Sequence, residues 1–253
     1  MNTMSEQNYS PPKKSMVFAH RGANREAMEN TRNAFDRALR YAIDGIETDV
    51  QLSRDEVAVL WHDRFLDKIR LNDKRIDDFD YHQLQTLINP SSENEGILTL
   101  KDFLITYRKC CHLLIEVKNR DWEPPARHQT KMRQTLDLIS NNPEQGILVS
   151  SFNLVSLEYA HCYRPGVPLI YNFETEQTIA DARQLLTTHD FLYGFCLPIA
   201  STDQAMVSLL HDQRKCVGVY TCNSEAEITK ALQLEVDILI SDLPEKALIL
   251  RDQ

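Results

Sequence analysis

The six cysteines of this chain (Cys110, Cys111, Cys162, Cys196, Cys216 and Cys222) include no CxxC pair. Several sit inside apolar, strand-like runs, so they read as reduced core residues and not as a disulfide or zinc framework. No stretch approaches the roughly 18 consecutive apolar residues of a membrane-spanning helix. The polar opening MNTMSEQNYSPPKKS lacks the apolar centre of a secretory signal. The expectation is a cytoplasmic protein with no stable membrane association. No GxGxxG follows a strand-like run, which removes the dinucleotide-binding fingerprint, and there is no internal repeat or low-complexity tract. Positive charge is also short: 28 Lys and Arg against 37 Asp and Glu give a net charge of −9. That balance argues against nucleic acid or an anionic membrane as a partner. An anionic small-molecule substrate would have to find its positive charge at the site itself.

A length of 253 residues, 42% hydrophobic and 26% charged, suits one large α/β barrel or two small domains, with a core that needs no staples. Residues 1–15 read as a disordered lead, and 16–250 as a single barrel domain. Short β-rich runs at 16–20, 45–50, 113–118, 147–151, 167–171, 191–197, 216–221 and 237–241 alternate with helical periodicity, at 30–41, 129–140, 175–188, 203–213 and 225–234 among others. Apolar strands alternating with helices imply a parallel sheet wrapped by helices, and eight of them point to a (β/α)8 TIM barrel.

One run breaks the alternation. Residues 57–61 follow the second strand after only Ser53, Arg54, Asp55 and Glu56, too few for a parallel crossover, so the two runs should form an antiparallel hairpin. With a tight turn, Leu52 would face Val57 and Glu47 would face His62. The charged segment that follows, about 64–95, has no barrel-strand pattern and reads as an insertion over the same mouth.

Three short segments hold the chemistry: Ala19-His20-Arg21-Gly22, Gly45 to Val50 with Glu47 and Asp49, and Trp61-His62-Asp63. Glu47 and Asp49, two apart on a strand, share a face. Near the C-terminal end of a barrel strand that face is where barrel active sites lie. Glu116 and Lys118 repeat the spacing on the third barrel strand, within Leu-Leu-Ile-Glu-Val-Lys. Carboxylates in apolar strands are costly unless paired or bound to metal. An all-oxygen set favours Mg²⁺, Ca²⁺ or Mn²⁺ over zinc, and a structural ion-pair cluster with Arg21 and Lys118 is the competing reading. His20 and His62, each at a strand end, can exchange protons near neutral pH, and Arg21 offers a fork for phosphate oxygens. The other histidines (82, 112, 128, 161, 189 and 211) read as helix or loop residues with no role.

His20-Arg21-Gly22, Glu29-Asn30-Thr31, Glu47-x-Asp49-Val50, His62-Asp63 and Glu116-x-Lys118 together resemble the glycerophosphodiester phosphodiesterases in order and spacing. Ile97-Leu98-Thr99-Leu100, Ser151-Phe152-Asn153, Tyr220-Thr221-Cys222-Asn223 and the run from Asp237 to Asp242 and Pro244 resemble the family's weaker signatures, so the resemblance spans most of 16–245. It implies a (β/α)8 barrel in which Glu47, Asp49 and Glu116 bind one divalent cation, Ca²⁺ or Mg²⁺. It also implies that His20 and His62 are the acid–base pair, and that Arg21 and Lys118 bind phosphate oxygens. Glu29, Asn30, Asp63 and Tyr220 are supporting residues.

The expected substrate is a small glycerophosphodiester, cleaved to glycerol 3-phosphate and an alcohol. Three departures stand out: Met28 where the family has proline, Tyr220 where tryptophan is common, and Lys68-Ile69-Arg70 where it has arginine-threonine-threonine. Two other readings keep the barrel. A lysophospholipase D would need an apolar channel, and 64–94 offers only Phe65, Phe79 and Tyr81 as large aromatics. An inactive phosphate-binding barrel would not need the full set of histidines, carboxylates and cations. Oligomeric state has no signature in the sequence.

Overall fold

A computed structural model of the chain describes residues 9–88, 96–139 and 146–253. Eight parallel strands close into a ring: β1 (Met16–His20), β2 (Gly45–Leu52), β4 (His112–Val117), β5 (Ile147–Ser151), β6 (Leu169–Asn172), β7 (Gly194–Pro198), β8 (Cys216–Tyr220) and β9 (Ile238–Ser241). β9 pairs with β1, and β1 with β2, completing the barrel. The short β3 (Ala58–Leu60) pairs antiparallel with β2, and its Val59 bridges to Thr99. Helices α1 (Arg32–Ala38), α2 (Tyr81–Ile88), α3 (Leu100–Tyr107), α4 (Pro125–Leu138), α5 (Leu154–Tyr163), α6 (Ile179–Thr188), α7 (Gln204–Asp212), α8 (Glu225–Gln233) and α9 (Pro244–Arg251) complete the element order. This is the expected (β/α)8 barrel. Among the described residues no helix is long and apolar enough to cross a membrane.

Local chemistry sets many of the boundaries. Thr178 with Asp181 and Ser224 with Glu227 form capping boxes at α6 and α8. Pro125 and Pro244 open α4 and α9, where a missing N–H costs nothing. Helix α5, LVSLEYAHCY, escapes periodicity because its apolar residues are spread around the axis instead of along one face. Residue 140, the end of one expected helix, lies outside the described residues.

The interior of the barrel changes character within one two-residue step. Phe18, Leu114, Leu148, Ile170, Cys196, Cys216, Ile238 and Ile240 pack together as its apolar floor. Two positions further along β4, β5 and β6, the same faces carry Glu116, Ser150 and Asn172. A much larger apolar layer joins the outer strand faces to the helices.

Three local expectations change. The hairpin register is Leu52 opposite Ala58 and Val50 opposite Leu60, one residue away from the tight-turn reading, so Leu52 does not face Val57 and Glu47 does not face His62. The cause is Glu56, which takes the left-handed conformation (φ 61°) after a turn in which its N–H donates to the Ser53 carbonyl at 3.0 Å. The loop therefore spends one residue on a bulge. His112, expected in a helix or loop, is the first residue of β4, with its ring 6.4 Å from that of Phe18. All six cysteines are free, but Cys110 and Cys162 are exposed, so only Cys196, Cys216 and Cys222 are core residues.

The segment after β3 makes two 3₁₀ turns, Asp67–Ile69 and Ile76–Asp78, then α2. It has a small core of its own, in which Val59, Trp61, Leu66, Ile76, Leu84, Ile88 and Ile97 gather with Met28, Phe79 and Tyr81 against them. Residues 89–95 of the expected insertion, and 1–8 of the expected lead, lie outside the described residues. Tyr9 reaches the bottom of the barrel, where its hydroxyl donates to Asp237 and its ring meets Tyr193 edge-on at 5.9 Å.

Candidate active site

One edge of β2 serves two neighbours. Its first half pairs with β1 until His20 lies opposite Glu47. Its second half pairs with β3 from Val50 onward. The chain leaving β1 donates Arg21 N–H to the Glu47 carbonyl at 2.9 Å, and the chain leaving β3 donates Trp61 N–H to the Asp49 carbonyl at 3.1 Å. The two histidine-bearing turns thus arrive at the same end of the same strand. The His20 turn is tightly shaped. Arg21 (φ 58°), Gly22 (φ 81°) and Asn30 (φ 56°) are all left-handed, a conformation rare outside glycine and concentrated at functional turns. At Gly22 a Cβ would lie 2.7 Å from the Ala34 backbone of α1, so only glycine fits.

Glu47, Asp49 and Glu116 are buried, and one oxygen from each lies within 4.8 Å of the others. Burial and the Asp49 charge push the Glu47 carboxyl well above its ordinary range. Asp49 goes the other way: against its burial, Lys118 and Arg21 hold it well below the usual carboxylate range. Arg21 Nε lies 3.1 Å from Asp49 Oδ2, and Lys118 Nζ lies 3.0 Å from Asp49 Oδ1 and closer still to Glu116 Oε1. Three buried carboxylates crowded into one all-oxygen cluster fit a hard divalent cation. Asn30 fixes Asp49 from behind, donating Nδ2 to Asp49 Oδ2 at 2.9 Å while its own Oδ1 accepts from Thr48 Oγ1 at 2.7 Å.

Both histidines are held through Nδ1. His20 Nδ1 lies 2.6 Å from Asp242 Oδ1, and His62 Nδ1 lies 2.8 Å from Asp63 Oδ1. An ionised carboxylate can only accept, so each Nδ1 carries a proton and each neutral ring leaves Nε2 free. His20 Nε2 is 3.9 Å from Glu47 Oε2. Burial pushes the His20 imidazole below its ordinary value against the pull of Asp242.

His20, Arg21, Glu47, His62, Glu116, Lys118 and Tyr220 all line one cavity of about 190 Å³ at the barrel mouth. Asp49 lies buried behind it, and Glu29 receives Arg21 Nη1 on both oxygens at 3.1 Å. Tyr220 donates its hydroxyl to the Phe173 carbonyl, and its ring meets Phe152 edge-on at 6.0 Å. Every site residue expected from the sequence is therefore in or directly behind the cavity.

Sequence reasoning missed several others. Asp242 follows β9 inside a segment quoted only as a weak signature, and a carboxylate just past a barrel strand was the signal available. It accepts from Asn24 (2.7 Å), Arg25 (2.8 Å) and Asn223 (2.9 Å) as well as His20. Gln51, the next inward residue after Asp49, donates Nε2 to the carbonyls of Trp61 (2.8 Å), His62 (3.3 Å) and Asp63 (3.0 Å), and Arg120 donates to the His62 carbonyl. Behind Lys118, the fully buried Lys131 donates to the Lys118 carbonyl and to Glu123 at 2.7 and 2.9 Å. Burial pushes the Lys131 ammonium down to about 8.

The sequence matches the model of the glycerophosphoryl diester phosphodiesterase family over residues 20–246. It is 30% identical to a glycerophosphodiester phosphodiesterase of Bacillus altitudinis, over 94% of this chain and 98% of that one. It is 31% identical to one from Caldanaerobacter subterraneus, over 92% and 96%. Among solved structures, an Oleispira antarctica phosphodiesterase in complex with the product sn-glycerol-3-phosphate superposes with a TM-score of 0.82 at 24% identity, covering 96% of this chain and 98% of that one. The Thermotoga maritima glycerophosphodiester phosphodiesterase gives 0.77 at 24% identity, covering 96% and 100%. The match across most of the sequence and the motifs gathered at the barrel mouth have one meaning: the chain belongs to the glycerophosphodiester phosphodiesterase family.

Proposed function

We propose that the protein hydrolyses small glycerophosphodiesters to glycerol 3-phosphate and an alcohol, with His20 and His62 as the proton-transfer pair. The observation that carries this reading is the pairing of both histidines with carboxylates through Nδ1, which leaves two Nε2 atoms for the substrate at one cavity. A divalent cation held by Glu47, Asp49 and Glu116 would supply polarisation of a phosphoryl oxygen. Arg21 and Lys118 bind the remaining phosphate charge. Three carboxylates, a divalent cation and these two side chains leave the site with one net positive charge in a protein of −9, which answers the shortage of positive charge in the rest of the chain. One imidazole takes the proton of the attacking oxygen, whether water or the substrate's own glycerol hydroxyl, while the other hands a proton to the leaving alcohol.

A water-soluble substrate is favoured over a lysophospholipid. Phe79 and Tyr81 of the insertion pack into the small core beneath it, and so do not build an apolar channel. The Oleispira antarctica structure, with sn-glycerol-3-phosphate as product, supports the same substrate class. The test is glycerol 3-phosphate release from glycerophosphocholine with EDTA, then after adding back calcium, magnesium or manganese. Activity lost and restored is expected. Inactivity with every metal on glycerophosphocholine, alongside turnover of lysophosphatidylcholine, would overturn the substrate assignment.

A further inference from the structure

Lys68 lies in the 3₁₀ turn Asp67–Ile69, on the segment that leaves the barrel after His62. Its ammonium sits 2.7 Å from Glu29 Oε1 and 2.7 Å from Asp63 Oδ2. Asp63 uses its other oxygen for His62 Nδ1. Glu29 holds Arg21 Nη1, and Arg21 Nε reaches Asp49. One unbroken ionic chain thus runs His62–Asp63–Lys68–Glu29–Arg21–Asp49. An oxygen of Glu29, an oxygen of Asp63 and a nitrogen of His62 lie within 4.8 Å of one another, a spacing able to hold a cation. The Lys68 ammonium is the cation that stands between these two carboxylates, which would otherwise repel each other.

We propose that Lys68 is a positioning residue that fixes His62 through Asp63 and Arg21 through Glu29, tying a proton-transfer group to a phosphate-binding group. The roles of His62 and Arg21 in this inference rest on the phosphodiesterase reading above. An isolated pair on a side chain 39% exposed would count for little. This ammonium is shared by two carboxylates, and the chain ends in a buried pair, so the contact acts as part of a network. Its own titration agrees with that: Asp63 and Glu29 raise the Lys68 ammonium above its ordinary value against its burial.

The experiment compares wild type, Lys68→Met and Lys68→Arg, each metal-loaded, on glycerophosphocholine. Side-chain ¹⁵N spectra of histidine-labelled protein then read the His62 tautomer without any need for turnover. Lys68→Met is expected to lower kcat about tenfold or more while KM changes less than about threefold, and Lys68→Arg to recover most of the loss. His62 is expected to hold a single Nδ1–H tautomer in wild type and Lys68→Arg, and a mixture in Lys68→Met. A single His62 tautomer in Lys68→Met, or kcat within about twofold of wild type, would overturn the proposal. Inactive wild type would refute the phosphodiesterase reading alone, because the tautomer comparison still decides the role of Lys68.

Discussion

The Nδ1 atom of His20 and Oδ1 of Asp242 meet at 2.6 Å across 222 residues of sequence. The barrel makes this contact inevitable, because β9 pairs with β1 and ends beside it, with Ser241 opposite Ala19. Asp242 is fixed in turn by Asn24, Arg25 and Asn223, so it is a rigid acceptor. Burial raises the Asp242 carboxyl, but the His20 and Asn24 hydrogen bonds outweigh that and hold it well below the usual range.

Asp242→Asn removes the obligatory acceptor. An amide can donate to Nδ1 as readily as accept from it, which releases the tautomer that leaves Nε2 free. Turnover of glycerophosphocholine should fall by about 100-fold or more, while the fold survives. Steady-state kinetics with a thermal melt alongside would check this. Turnover within tenfold of wild type, at unchanged Tm, would mean His20 does not depend on its tautomer.

Glu47→Gln separates the cost of the carboxylate cluster from its use. In metal-free protein the substitution removes a buried carboxyl whose ionisation is opposed by its burial and by the Asp49 charge, so stability should hold or rise. With metal, wild type should gain about 2.7 kcal/mol at a hundredfold excess of cation over Kd, and Glu47→Gln should lose most of that gain. Melting curves in EDTA and in excess calcium or magnesium would measure both. A full metal-dependent rise in the variant would remove Glu47 from the ligand set.

His211 gives a pH signature far from the active site. Its Nε2 lies 3.0 Å from Asp237 Oδ2 at the bottom of the barrel, and that hydrogen bond raises its imidazole above the ordinary value. A folded-state value above the unfolded one adds stability that is fully present below the unfolded value and is lost as pH rises through the folded one. His211→Gln keeps a donor near Asp237 and removes the charge. Wild type should exceed this variant by about 1 kcal/mol at pH 6, and the gap should shrink above neutrality. Urea titrations at both pH values would read it, and a gap that widened with pH would reverse the assignment.

Much of the site was legible because its parts are local. Glu47 and Asp49 share a face by the two-residue repeat of a strand, whatever the remainder of the chain does. His20 ends an apolar run that could only be a buried strand. The His62 hairpin was readable in topology but not in register. Whether Glu56 adopts a left-handed bulge depends on the geometry around Ser53, and one such residue shifts every cross-strand partner. Phe79 and Tyr81 were legible as residues but not as core, since their direction is set by packing against the cluster of Trp61, Leu66 and Ile97.

From the sequence alone came the strand–helix alternation, the parallel barrel and the residue types needed for proton transfer, phosphate binding and a hard cation. Those follow from periodicities of two and 3.6 residues and from the chemistry of single side chains. Tertiary structure alone decided the partners: Asp242 for His20, Lys68 between Glu29 and Asp63, and Gln51 and Arg120 under the His62 turn. Strand pairing and helix packing choose these contacts between distant segments, and no pattern within one segment encodes which distant carboxylate will stand beside His20.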